Sequence, residues 1–175
     1  RGLYRGDMEL EDLFVIGDFA VSSARELVRE PDTLHFGDWC MQGYYHYAGD
    51  MIYHFTAPAY CPKDGQVLLT LGDYSAALAE ITVNGQTAGH LFGKGYNTLD
   101  ITAFLKETEN TIDIRLVGTN RNLFGPFHQK YTDCTRISWA DFRTEGILYT
   151  PDYVLQPYGL VSQVKLIQNT GGDRR

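Results

Sequence analysis

The sequence predicts an all-β sandwich or barrel, and three observations carry the prediction. Short apolar runs, alternating or continuous, recur along the chain with turn residues between them. Asn84-Gly85, between "EITV" and "QTAGHL", supplies the two positive φ values that a type I′ hairpin turn needs. Outside residues 102–107 nothing reads as a helix.

Taken in order, residues 15–21 (VIGDFAV) make an apolar run flanked by acidic residues and Ser22-Ser23. Residues 25–29 (RELVR) follow after a turn-length gap, and both read as strands. Gly49 is expected to end the preceding segment. Residues 51–56 then alternate Met51, Tyr53 and Phe55 against Ile52, His54 and Thr56 until Pro58 stops the run, with the first three expected on the core face. Residues 66–71 and 79–83 are further strands. Residues 110–117 point Ile112, Ile114 and Leu116 inward, with Asp113 and Arg115 outward. Residues 158–167 close the set with Leu160, Val164 and Leu166. The helical candidate, 102–107, is read with Thr102 as its cap, covering one end of the sandwich. With no repeat, low-complexity tract or linker before the polar 171–175 tail, one domain over residues 1–175 is expected.

Composition narrows the chemistry. A chain of 175 residues buries roughly 70% of its unfolded surface without a metal or disulfide staple. Fifteen Lys and Arg against 22 Asp and Glu give a net charge of -7, which disfavours nucleic acid as a partner and leaves a neutral ligand such as a carbohydrate acceptable. No apolar run reaches the ~18 residues of a membrane span. Cys40, Cys61 and Cys134 are odd in number and widely spaced, and read as buried free thiols. The chain opens at Arg1 with neither Met nor a leader. It reads as a segment of something larger, so missing targeting signals say nothing about localisation.

The usual catalytic patterns are missing. "GHLFGKGY" fails as a phosphate loop: Gly89 and Gly93 are one residue too close, and Gly95 replaces the Ser or Thr that would hold magnesium. A glycine turn is the better reading. There is no G-x-S-x-G, H-E-x-x-H or H-x-H. His46 and His54, on one extended strand, would stand roughly 26 Å apart, too far for a shared metal, and each reads as a hydrogen-bonded, partly buried residue. The carboxylates Asp7, Glu9, Glu11, Asp12, Asp141 and Glu145 are scattered and read as solvating.

What remains is aromatic and planar. Sugars stack their C–H faces on aromatic rings and offer hydroxyls to Asn, Arg and His. Trp39, Gln42, Tyr44, Tyr45, His46 and Tyr47 form one such group. Asn120, Arg121, Asn122 and His128 bracket Phe124-Gly125-Pro126-Phe127 in a second, and Asn97 adds a planar amide. Read against each other, these residues are either a carbohydrate-binding surface or the filling of a core or domain interface.

Val83-Asn84-Gly85, Gly89, Tyr96, Asp100-Ile101-Thr102 and 110–114 (NTIDI) occur in the order found in galactose-binding-like jelly-roll domains of glycoside hydrolases, which this chain resembles over residues 37–118. That group includes the sugar-binding domain of β-galactosidases and β-glucuronidases. The flanks "LFVIGDFAV", "NRNLFGPFH" and "YGLVSQVKL" look like the C-terminal region of large bacterial glycoside-hydrolase-like proteins. The resemblance implies a jelly-roll β-sandwich, a catalytic domain earlier in the same parent chain, and a bacterial, slightly favoured extracytoplasmic, setting. Such domains often hold a structural calcium through loop carbonyls and carboxylates, and the resemblance implies that option without placing its ligands. The expected function is a non-catalytic, carbohydrate-associated module that binds glycan or shapes its parent's substrate cleft. The alternative is a structural sandwich that docks against the catalytic domain.

Overall fold

A computed structural model describes residues 5, 13–58, 65–93, 95–130 and 137–170. Cys61, Cys134, Lys94, the acidic residues 7, 9, 11 and 12 and the tail 171–175 lie outside the described residues. The described chain is nearly all β, as expected. Its strands are β1 (Ala20–Val21), β2 (Leu27–Val28), β3 (Asp50–Ala57), β4 (Gly65–Thr70), β5 (Tyr74–Ser75), β6 (Leu78–Val83), β7 (Gln86–Leu91), β8 (Thr98–Asp100), β9 (Asn110–Val117), β10 (Gly159–Leu160) and β11 (Lys165–Thr170). One helical turn, α1 (Arg121–Phe124), and short 3-10 turns complete it.

A four-stranded antiparallel sheet in the order β3-β9-β6-β7 packs against a three-stranded sheet in the order β11-β4-β8. The pairs β10-β5 and β1-β2 flank them. Val67 and Leu69 of β4 meet Ala79, Ile81 and Val83 of β6 and Ile112, Ile114 and Leu116 of β9 in one apolar core. Period-2 alternation puts these side chains on the inner face and leaves the outer face of the large sheet polar. There Glu80 lies opposite both Arg115 and His90, and His54 opposite Asp113. Met51, Tyr53 and Phe55 do face the core, while Ile52 and His54 face out.

The Asn84-Gly85 turn takes φ values of +52° and +79°, as a type I′ turn requires, and connects β6 to β7. Its asparagine does more than turn the chain. Asn84 Nδ2 donates to the Phe104 carbonyl at 2.7 Å and to Asn110 Oδ1 at 2.8 Å, and Asn84 Oδ1 accepts the Thr111 N–H at 3.1 Å. Asn110 is fully buried at the head of β9. Its Nδ2 donates to the carbonyls of Pro58, Lys106 and Thr108, and its Oδ1 also accepts the Lys106 N–H at 2.7 Å. The amide pair therefore satisfies the backbone of the loop that closes this end of the sandwich.

Four expectations need correction. Of residues 15–21 only Ala20 and Val21 pair; Val15 and Ile16 are exposed beside no strand, and a strand needs a neighbour for its N–H and C=O groups. Residues 158–167 are two strands, not one. Val161 and Ser162 both donate their N–H groups to the Asp73 carbonyl, a bend between β10, paired with β5, and β11, paired with β4. Thr102 does not cap its turn. The Asp100 carboxylate receives the Thr102 N–H and hydroxyl, and Thr102 Oγ1 instead accepts the Val67 N–H at 2.8 Å. His54 is exposed rather than partly buried, with Nδ1 2.7 Å from Asp113 Oδ1.

Candidate functional site

The first aromatic group follows a 3-10 turn, Cys40–Gln42, and Gly43. Gly43 has φ +102°, and a Cβ there would lie 2.8 Å from the Ala20 Cβ. Only glycine allows this reversal together with the close approach of β1, whose Val21 N–H donates to the Gly43 carbonyl at 2.8 Å. The following loop, residues 44–47, is thereby fixed beneath the β1–β2 hairpin. It forms one wall of a surface groove of about 1480 Å³, whose other walls are residues 13–30 and the segments around Phe127 and Tyr153.

Within that wall the side chains differ. Tyr44 packs against the core, donates its hydroxyl to Glu30 Oε1 at 2.7 Å and meets the Tyr47 ring edge-on at 5.7 Å. Tyr47 donates its hydroxyl to the Asp50 carbonyl at 2.8 Å. Tyr45 is half-buried in the groove, and its hydroxyl makes no hydrogen bond among the described residues. His46 Nδ1 stands 2.8 Å from the Asn122 carbonyl; because a carbonyl only accepts, Nδ1 carries the proton.

The structure also connects His46 and His128, 82 positions apart, through a residue that the sequence reading passed over. Tyr153 stacks on Phe127 at 4.9 Å with an interplanar angle of 10°. His46 and His128 meet its ring edge-on at 5.8 Å and 5.3 Å. The Arg25 guanidinium lies 4.3 Å from its centroid. His128 is itself held by an Nδ1 bond of 3.1 Å to the Thr150 carbonyl. In sequence, Tyr153 is one tyrosine among 12, and only its place between Pro151 and Pro157 marks it as a loop residue.

The remaining candidates lie elsewhere. Trp39 is 1% exposed, within the core, and donates its indole N–H to Tyr53 Oη at 2.6 Å. Asn122 is fully buried. It mimics a strand neighbour of Gln156, donating to that residue's carbonyl at 2.7 Å and accepting its N–H at 2.9 Å, and it also donates to Cys40 Sγ. Arg121 is buried beside them, its charge acting on Asp141 and Tyr158. Asn120 is exposed at the start of α1. Asn97 belongs to a separate loop, where it donates to the Gly72 carbonyl at 3.4 Å. The structure thus places Tyr44, Tyr45, His46 and Tyr47 along one groove, sets His128 against the ring of Tyr153, and buries Trp39, Arg121 and Asn122. Trp139, by contrast, is 78% exposed on a 3-10 turn, with Arg143 4.8 Å from its ring centroid.

Among the described residues no three His, Cys, Asp or Glu side chains gather to hold an ion, so the calcium expectation rests on the resemblance alone.

Burial pushes the Cys40 thiol up to about 12, with the Asp38 carboxylate adding to the effect. Burial and the Glu30 carboxylate push Tyr44 up to about 12, and burial raises Tyr47, Tyr74 and Tyr158. In the unfolded chain these groups release protons from about pH 9 to 10, whereas the folded chain retains them. The folded state then binds more protons, so stability is complete below that range and is lost as pH rises toward about 12. Urea midpoints should therefore fall between pH 8 and pH 10.5, and a midpoint constant across that interval refutes the assignment. Native Cys40 should likewise resist alkylation that proceeds after unfolding.

Fold and site together define a β-sandwich with an aromatic-lined surface groove. Neither a protein-family model nor a curated protein matches the chain. Solved structures do. The chain is similar to a rhamnosidase from Novosphingobium sp. PP1Y, at 25% identity and a TM-score of 0.53 over 73% of this chain and 12% of that one. It is also similar to a β-glucuronidase from Bacteroides uniformis (25% identity, TM-score 0.44, 70% of this chain and 12% of that one). A β-glycosidase from Bacteroides vulgatus matches over 86% of this chain and 18% of that one, at 17% identity and a TM-score of 0.44. These neighbours are bacterial glycoside hydrolases, and this chain spans less than a fifth of each. No helix among the described residues is long and apolar enough to cross a membrane.

Proposed function

We propose that this chain is a non-catalytic, carbohydrate-associated module of a larger glycoside hydrolase, a galactose-binding-like sandwich that binds glycan or shapes its parent's substrate cleft. The observation that carries the reading is the aromatic wall of residues 44–47, open to a groove large enough for an oligosaccharide. The fold likeness to a small part of a rhamnosidase supports the same class. Tyr45 offers a half-buried ring and an uncommitted hydroxyl, the pairing that a pyranose uses for stacking and a hydrogen bond. In calorimetric titration with mono- and oligosaccharides, Tyr45→Ala is expected to weaken binding roughly tenfold with little change in thermal stability. If the unaltered chain binds no sugar at millimolar concentration, the direct-ligand reading fails.

A second reading has its own observation. Leu13 and Ile16 are 98% and 93% exposed at the groove mouth beside exposed Met41, an apolar edge suited to a neighbouring catalytic domain of the same parent. Absence of sugar binding, together with loss of parent stability when Leu13 and Ile16 are changed to serine, supports that docking role.

A further inference from the structure

The ring of Tyr153, 37% exposed, is held by three aromatic neighbours. Phe127 covers one face in parallel stacking, and His46 and His128 press against its edges. Each of these neighbours is itself anchored: His46 by the Asn122 carbonyl, His128 by the Thr150 carbonyl, and the Phe127 carbonyl by the Val154 N–H at 2.8 Å. A ring so fixed loses little freedom when something binds to it, which is what preorganisation of a stacking surface means.

Its remaining face points into the groove and is occupied by the Arg25 guanidinium. Arg25 reaches it from the tip of the β1–β2 hairpin with φ +62°, a left-handed conformation unfavourable for a residue with a side chain. The hairpin holding it is lightly attached. Its strands have two residues each, Leu27 and Val28 are exposed, and its anchors to the body are buried Ala20 against Gly43, the Val21–Gly43 bond and the Tyr44–Glu30 bond. A planar cation on an aromatic face contributes only modestly at a solvent-exposed site. A strained residue on a small hairpin thus covers the one open face of a rigid aromatic platform.

We propose that this face of Tyr153 is a sugar-stacking surface of the groove and that the β1–β2 hairpin is a strap whose guanidinium a pyranose ring displaces. The inference rests on the carbohydrate reading above and names the ring and the moving part. Arg25 then competes with ligand rather than contacting it. Removing the guanidinium should tighten binding, whereas removing the platform should abolish it.

The test titrates the 175-residue chain with methyl α-rhamnoside, methyl β-galactoside and methyl β-glucuronide, alongside hydrogen exchange at the hairpin amides. Arg25→Ala is expected to bind about two- to fivefold more tightly than the unaltered chain, the factor released by an exposed cation–π contact. Tyr153→Leu, confirmed folded by its melting transition, is expected to lose binding. Exchange at Val21 and Ser22 should rise by a similar factor in Arg25→Ala and, in the unaltered chain, on saturation with sugar. Binding by the unaltered chain that Arg25→Ala leaves equal or weaker overturns the strap while leaving the carbohydrate reading intact. Binding by neither chain overturns both.

Discussion

Trp39→Ala is expected to destabilise this protein strongly without acting on ligand binding directly. The indole lies in the core against Tyr47 and Tyr158, and its N–H satisfies the Tyr53 hydroxyl, which in turn receives the Leu160 N–H at 3.4 Å. Truncation empties a large volume and removes one of the two N–H partners of the Tyr53 hydroxyl, at a cost of about 4 kcal/mol. At this chain length the melting temperature should fall by roughly 10 °C. Trp39→Phe keeps most of the volume and loses the hydrogen bond, so it should fall between the two. Scanning calorimetry with sugar titration at low temperature separates the alternatives. A Trp39→Ala chain of unchanged stability that no longer binds sugar would place the indole at a ligand rather than in the core.

Asn110→Asp should be nearly as costly although it replaces a single NH₂ by oxygen. The amide nitrogen donates to three carbonyls, those of Pro58, Lys106 and Thr108, and a carboxylate would set negative charge against all three in a fully buried site. A loss of about 3 to 4 kcal/mol is expected at neutral pH. The introduced carboxyl would have its folded pKa raised above its unfolded value of about 3.9. The variant therefore recovers stability relative to the parent as pH falls toward 4, when the acid protonates and can again donate. Chemical denaturation of both chains at pH 7 and pH 4.5 measures this, and a gap that widens in acid contradicts the assigned hydrogen bonds.

How far the fold was legible depended on whether each signal was local. The Asn84-Gly85 turn requires two left-handed residues, a property of those residues themselves, and the structure has it. The alternation of β9 and of β3 likewise depends on a period of 2 that any sheet imposes. Residues 15–21 misled because an apolar run does not specify a partner strand, and residues 158–167 misled because the bend at Val161-Ser162 is held by Asp73, over 80 positions away.

The candidate site divided along the same line. Tyr44, Tyr45, His46 and Tyr47 could be placed in a loop because Gly43 and Gly49 bracket them. Trp39, a few positions earlier, has the same chemistry yet lies in the core, and nothing in its own neighbourhood distinguishes it. Asn122 and Arg121 looked like ligands because planar polar groups suit sugars. The same planarity lets Asn122 pair with the backbone of Gln156, and only the fold sets which partner is present.

By itself the sequence determined the strands, the tight turn and an excess of aromatic residues in loops, because these follow from side-chain period, backbone freedom and residue type. Which aromatics face solvent, which support the core, and that Arg25, His46, Phe127 and His128 meet around the ring of Tyr153 were decided only by tertiary structure. Their juxtaposition is a sum of contacts between segments far apart in the chain, and no local preference of any one segment encodes it.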